Sequence, residues 1–443
     1  MTDLRSASRE ELMAIIEALM ARVDALEEEV RRLRAGQGGG TPLAVKPSRA
    51  PKEKRPRKPR GRAFVRRREQ QADEVRTHAV ECCPECGRTL KGGWEHSRRQ
   101  VIEVLCQTWV IEHVLRARRC GVCQKRWLPQ VEAGEYGVQG KRRFGASVQS
   151  LVGTLHVGCR MPMRMIGKLL GELCGLHVSD GEVVKLLDGL KGAGEAELAQ
   201  LKARVRSAPA VCADETGWRQ DGENGYLWGF FTEQERYFEY RKSRAGAVPE
   251  EILGKDFAGV VTCDFYAGYN KVGVLQRCWP HLLREAKEVA ELNADRPPVV
   301  AWVEALRGLY QEAKASCLAL GEAPAHHRVR RREQRRLERL AKRLAQPYAE
   351  DVNAPQRLLA QRLLKHLHEL FVFVADPRVP GDNNLAERSL RPAVIARKIS
   401  GGTRSPKGSD TRMGLMSLLG TCAAQGKGHL QGCRELLLPT PAP

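Results

Sequence analysis

Residues 209–265 open on PAVCADET (209–216) and close on GVVTCDF (259–265), with GYLWGFFTE (225–233), RYFEYRKS (236–243) and AGAVPEEILG (245–254) between them. The first, second and third segments in chain order are short and rich in β-branched and aromatic residues. Turn residues such as Asp221-Gly222-Glu223-Asn224-Gly225 separate them, so they read as strands. AGAVPEEILG reads as a helix, and GVVTCDF as a buried strand. Three strands, a helix and a further strand predict a mixed sheet. On this reading Asp214 ends the first strand and Asp264 the last. If those strands lie side by side, both carboxylates emerge at the same sheet edge.

On the N-terminal side the texture is helical over 141–206. MPMRMIGKLLGEL (161–173) is amphipathic, Cys174-Gly175-Leu176-His177 interrupts it, and Ser179 with Glu182 forms a capping box for the next helix, VVKLLDGL. Two short helices about a glycine-containing turn resemble a DNA-binding helix-turn-helix, a pattern any helical bundle also produces. On the C-terminal side, 282–375 reads as helical and very basic, with nine Lys/Arg in the 16 residues of RVRRREQRRLERLAKR (328–343). A last helical region begins near Asp382 and completes a segment 376–443.

The charge balance says what kind of partner to expect. Lys and Arg number 74 against 53 Asp and Glu in 443 residues, a net charge of +21, which favours a polyanion, nucleic acid or an anionic membrane. No run approaches the ~18 apolar residues of a spanning helix, and the start, MTDLRSASREELMAII, lacks a signal peptide's apolar core. The expectation is a cytoplasmic, nucleoid-associated protein without a membrane partner. Fourteen cysteines in 443 residues are too sparse for a disulfide-stapled secreted scaffold. Over half of the net charge lies in residues 46–68, which hold twelve Lys/Arg, among them Lys54, Arg55, Arg57, Lys58 and Arg60, and one acidic residue. With four prolines and little to bury, a linker over 36–77 should be disordered, either as a solvated spacer or as a sequence-independent phosphate contact. Ahead of it, Leu12, Leu19, Leu26 and Leu33 with Ile16, Val23 and Val30 make heptads over 1–35. They suit a coiled coil and a homodimer or higher assembly, the alternative being one helix docked on its own domain.

Cys83-Pro-Glu-Cys86-Gly and Cys120-Gly-Val-Cys123 are C-x-x-C knuckles 33 residues apart. Four thiolates complete a tetrahedral shell, so 78–130 reads as a zinc ribbon with a structural Zn²⁺ and strand-like VIEVLCQTWVIEHVLRARRC between the knuckles. Cys82 can replace Cys83 with a longer loop, and free cysteines or disulfides are the plainer alternatives. The third carboxylate of interest is Glu387 in GDNNLAERSLRP, on a predicted helix with Asn383 and Arg391 four residues to either side. Converging carboxylates stay ionised only with cations between them, and hard oxygen ligands suit Mg²⁺. Composition and spacing alone would not single out these three.

ADETGW with GYLWGFF, CDFYAGYN followed by CWPHLLREAKE, and NNLAERSLRPAVIARK resemble, in order, the three catalytic blocks of DDE transposases of the bacterial insertion-sequence-sixty-six family. The heptads, cysteine knuckles and helix-turn-helix-like segment also match that family's usual architecture. The resemblance covers nearly the whole chain, and the tail GGTRSPKGSDTRMGLMSLLGTCAAQG follows the pattern more loosely than the blocks. It implies a multidomain α+β protein whose RNase H-like α/β catalytic core, 207–281 and 376–443, is interrupted by the all-helical insertion 282–375. It implies Asp214, Asp264 and Glu387 as catalytic ligands of two Mg²⁺ (or Mn²⁺) ions. The DNA would be double-stranded, both element ends and target, and small accessory proteins are a further expected partner. Cleavage at the element ends frees 3′-hydroxyls that attack target DNA, with no covalent protein intermediate. Arg388 and Arg391 are candidate phosphate contacts, or partners of a nearby carboxylate. Trp218 is a candidate base-stacking or core residue. Cys278-x-x-His281 matches a C-x-x-H element that many such enzymes carry after the second aspartate, and two ligands do not make a zinc site. The competing readings are a non-catalytic, zinc-containing DNA-binding regulator derived from a transposase, and a structure-selective nuclease on the same fold.

Overall fold

The computed structural model describes residues 22, 74–96, 106–129, 143–321, 323 and 326–438. Apart from Arg22, the heptads lie outside these residues. So does the basic stretch with Lys54, Arg55, Arg57, Lys58 and Arg60. The chain divides into two compact units, 1–103 and 104–443, and the two cysteine knuckles belong to different units.

In the first unit, the described segment is a turn closed by a single antiparallel bridge, Cys82 to Thr89. In the second, a two-stranded ladder of β1 (Arg118–Arg119) and β2 (Arg126–Trp127) brackets the Cys120–Cys123 turn. The longer ribbon strands expected here are not found in the described part, since residues 106–117 hold no strand. Among the described residues this segment has no strand partner. Trp109 and Val110 are 85% and 84% exposed, and β-propensity without a ladder or a covered face does not hold a strand.

Over residues 143–207 the helices are α1 (Ala146–Gly153), extended by a π-helical turn at Thr154–Gly158, α2 (Met163–Cys174), α3 (Asp180–Ala193) and α4 (Glu195–Ser207). The capping box at α3 forms as the sequence predicts, with Glu182 N donating to Ser179 Oγ at 3.3 Å and Ser179 N to Glu182 Oε2 at 2.9 Å.

The sheet holds β3 (Ala210–Gln220), β4 (Glu223–Phe231), β5 (Arg236–Arg241), β6 (Val260–Cys263) and β7 (Val274–Arg277), in the order β5-β4-β3-β6-β7. The first three pair antiparallel, and β6 and β7 run parallel to β3. Helix α5 (Ala247–Leu253) bridges the change of direction. Two details differ from the sequence reading. Asp214 does not end its strand. The β3–β4 hairpin runs on to Gln220↔Glu223 around two residues alone, Asp221 (φ 53°) and Gly222 (φ 80°). An Asp-Gly pair with both φ positive is the turn whose twist matches a tight hairpin. Strand β7 went unread because it has four residues, and Gln276 and Arg277 break its apolar run.

The remaining helices are α6 (Trp279–Leu292), α7 (Pro297–Leu320), α8 (His327–Ala349), α9 (Arg357–Lys365), α10 (Val372–Ala375), α11 (Asn384–Ser400), α12 (Pro406–Ala424) and α13 (His429–Leu437). Helices α6 to α10 bury their own cluster around Trp279, Trp302, Leu306 and Phe371. One sheet face packs on α4 and α5 through Val211, Trp228, Phe230 and Ile252. The other face joins Trp218 and Phe231 to α11, α12 and the helices of 143–193 in a single cluster. The helix-turn-helix-like segment therefore shares a core with the sheet and is not a separately packed body. Among the described residues no helix is long and apolar enough to cross a membrane.

Candidate active site

Strand β3 meets β6 in parallel register, Ala210↔Val260, Val211↔Val261 and Cys212↔Thr262. Carried on by two residues, that register sets Asp214 beside Asp264, where β6 has just ended. Adjacent strands lie about 4.8 Å apart, so the two carboxyls start from neighbouring positions. On its other side Asp214 faces Gly229 of β4, which puts no side chain against it. Asp214 Oδ1 accepts the Glu215 N–H at 2.9 Å, and Asp264 Oδ1 accepts the Tyr266 N–H at 2.9 Å.

Glu387 arrives from 123 residues further along the chain, in the first turn of α11. Four bonds seat this helix and the residues that follow it along β3. Asn383, at its N-terminus, donates from Nδ2 to Ala213 O at 2.8 Å, directly before Asp214. Near its other end Arg397 Nη1 donates to Thr216 Oγ1 at 3.2 Å and to Gly217 O. Beyond the helix, Thr403 N donates to Arg219 O at 2.9 Å. Cys278 Sγ accepts the Asn383 N–H at 3.2 Å, and His281 Nε2 lies 3.7 Å from Glu387 Oε1. The Cys278/His281 pair thus braces the start of α11.

Electrostatics tie the three acids together. Burial pushes the Asp214 carboxyl up to about 7, and the neighbouring charges of Glu215, Asp264 and Glu387 push in the same direction. Among the described residues, no three His, Cys, Asp or Glu side chains already surround one metal-sized point. Two buried polar atoms beside the carboxylates have no hydrogen-bond partner, Asn383 Oδ1 and His281 Nδ1.

Two contributors were not found from the sequence. Glu215 is 2% exposed at its side chain, accepts from Arg244 Nε at 2.9 Å and from the Tyr269 hydroxyl at 2.5 Å, and so presents a fourth charge beside Asp214. Arg277, wholly buried, donates to Asp264 O at 2.7 Å and Tyr266 O at 3.1 Å, and pairs with Glu369 at 2.7 Å. It pins the loop that carries Asp264. The available signal was the Gln276-Arg277 pair set between apolar residues in VLQRCW. Trp218 is buried in the core, its indole N–H bonded to Thr403 Oγ1 at 3.1 Å. Arg388 and Arg391 are exposed on α11.

The cysteine knuckles repeat one another. Cys83 N donates to Arg88 O (2.8 Å) and Gly87 N to Cys83 O (2.9 Å); Cys120 N donates to Lys125 O (2.9 Å) and Gln124 N to Cys120 O (3.0 Å). Backbone N–H groups of Cys86 and Glu85 lower the Cys83 thiol pKa, and those of Cys123 and Val122 lower that of Cys120. Each turn is left through a residue of positive φ, Gly87 at 72° and Gln124 at 57°. The turn is built on Cys83, while Cys82 forms the backbone bridge to Thr89.

Compared with curated proteins, the chain finds no match. A family model covers residues 141–411, which is more than half of the chain and includes all three acidic blocks, and on that match the protein belongs to the transposase IS66 family.

Proposed function

We propose that the protein is a DDE transposase that binds the ends of an insertion element, cleaves phosphodiesters there and joins the freed 3′-hydroxyls to target DNA. What supports this reading is the placement of Asp214 and Asp264 at neighbouring positions of two parallel strands, with Glu387 in the first turn of a helix bonded to β3 and its charge felt by Asp214. The strand order, three antiparallel strands followed by two parallel ones, supports the RNase H-like core that the sequence resemblance implies.

The donor set fits divalent cations. Three carboxylates and Asn383 Oδ1, which has no hydrogen-bond partner among the described residues, are hard oxygen ligands, and a carboxyl raised by burial and by neighbouring negative charge regains its ionised form when a cation enters. Asp214, Asp264 and Glu387 would hold two Mg²⁺ or Mn²⁺ ions. Such ions, when bound, supply an activated nucleophile and offset charge on the leaving oxygen. The chain's own part is preorganisation. Arg277 and the Tyr266 N–H fix Asp264, Asn383 and Cys278 fix the start of α11, and His281 steadies Glu387. Holding the reacting groups in register is a large share of what a phosphoryl-transfer site contributes.

Cleavage of labelled element-end DNA in Mg²⁺ tests the proposal. Asp214→Asn and Glu387→Gln should each lose at least about 10²-fold in rate while keeping DNA affinity. Equal cleavage by the wild type and both variants refutes it, and strand-transfer products separate a transposase from a nuclease. The matching turns at Cys83 and Cys120 support these cysteine pairs as Zn²⁺ ligands. Zinc content measured by atomic emission should fall in Cys86→Ser and in Cys123→Ser, and unchanged content in both would remove the metal from the scheme.

A further inference from the structure

A cavity of about 500 Å³ opens away from the three carboxylates, within the size range of small-molecule sites. Its walls come from the π-helical turn, β5, α11, α12 and the start of α13. Four arginines line it, Arg160, Arg236, Arg388 and Arg412, and no carboxylate does. The rest of the lining is largely apolar, with Val157, Phe238, Leu385, Pro392 and Met416.

These cations lack the partners that buried cations have elsewhere in the chain. Arg277 meets Glu369 at 2.7 Å. Arg412 is 7% exposed, its Nη1 donates to the neutral His156 Nε2 at 2.7 Å, and its buried Nε has no partner. Arg236 uses Nη1 on the carbonyls of Thr232 and Glu235. Burial lowers the pKa of Arg236, while Cys212 and Glu235 raise it and Arg388 lowers it further. Burial and then Arg160 lower that of His429, and burial brings Arg412 down to about 10. Arg160 is held at φ 58°, a conformation uncommon for a side chain of this kind, directly after the π-helical turn.

We infer that this cavity binds a nucleotide, its phosphate on Arg160, Arg388 and Arg412 and its base against the apolar wall of Phe238, Leu385 and Met416. Guanidinium forks match phosphate oxygens, and the volume and apolar wall exceed what an inorganic anion needs. The ligand is a nucleoside monophosphate unit, free or within a DNA strand. Residues 385, 388, 389 and 392 put the cavity on one face of α11, and Glu387 lies off that face. The inference therefore stands apart from the carboxylate site.

Isothermal titration calorimetry of the full chain, without divalent cations, tests it against a deoxynucleoside 5′-monophosphate, its nucleoside, inorganic phosphate and a 5′-phosphorylated tetranucleotide. The mononucleotide or the tetranucleotide should bind at least about tenfold more tightly than nucleoside or phosphate. Arg388→Ala removes an exposed cation, and Arg160→Gly removes one where glycine accepts the backbone without strain. Each should weaken binding about tenfold with the melting temperature retained. Sensitivity of the tetranucleotide alone assigns the ligand to a DNA strand, and sensitivity of both admits the free nucleotide. Asp214→Asn should bind as the wild type does, so failure of the catalytic reading leaves this result intact. The proposal is overturned if neither ligand binds, if phosphate binds as tightly as the nucleotide, if both arginine variants bind normally, or if Asp214→Asn loses binding.

Discussion

Arg277 and Glu215 are instructive at the residue scale. Both are ionisable, both are buried at their side chains, and each is satisfied from several directions. A sequence read by hydropathy treats such residues as interruptions, because their partners lie on other elements: Glu369 is 92 residues from Arg277, and Tyr269 54 from Glu215. Asp214 and Asp264 could be placed beside apolar strand segments from the local pattern, but it was the resemblance of their sequence blocks, and not composition or spacing, that singled them out. His156 makes a pH prediction. Its Nε2 accepts from Arg412, so Nδ1 carries the proton facing Met161 O at 3.1 Å, and burial with the Arg412 charge lowers its pKa to about 3. A folded pKa below the unfolded one means that the unfolded chain binds the extra proton first. Stability should therefore fall as pH drops from about 6.5 toward about 3, by up to a few kcal/mol from this group. Urea unfolding of the wild type and His156→Gln across that range should show a shallower acid loss in the variant; parallel curves would contradict the assignment.

The hairpin and the seated helix govern the element scale. Strands β3 to β6 and the helix bearing Glu387 could be read from pattern, whereas the pairing of β3 with β6 could not, because register is a property of two segments and not of one. The longer hairpin was missed for a local reason. Turn formers at Glu223, Asn224 and Gly225 mask a loop of only Asp221 and Gly222. Gly229 belongs here too. A Cβ at this position would lie 2.2 Å from the buried Phe231 ring, on the residue facing Asp214. Gly229→Ala should cost about 1–3 kcal/mol, read as a lowered midpoint in thermal melting, and slow DNA cleavage through displacement of the strand. An unchanged melting curve would show that the ring moves freely.

For the whole molecule, the charge excess and the transposase family agree on DNA as partner, while the sharing of one core by the helices of 143–193, the sheet and α12 was not legible. Amphipathic helices report that a face is covered and not by what. The heptads make the assembly prediction. A chain lacking residues 1–35 should sediment as a smaller assembly, counted in copies of the chain, than the full chain at equal concentration. An equal number of copies would assign self-association to another surface.

The seating of α11 on β3 at Ala213, Gly217 and Arg219 makes Glu387 indifferent to the route by which the chain reaches it. The detour between Asp264 and Glu387 runs through 122 residues, yet doubling a connection costs only about 0.6 kcal/mol in closure entropy. Within that stretch, α7 to α9 (residues 297–365) include none of the residues that hold Asp264 or the start of α11, so this part can be rebuilt, shortened or exchanged as an attachment, its outer surface retuned to new contacts, while the acids keep their spacing.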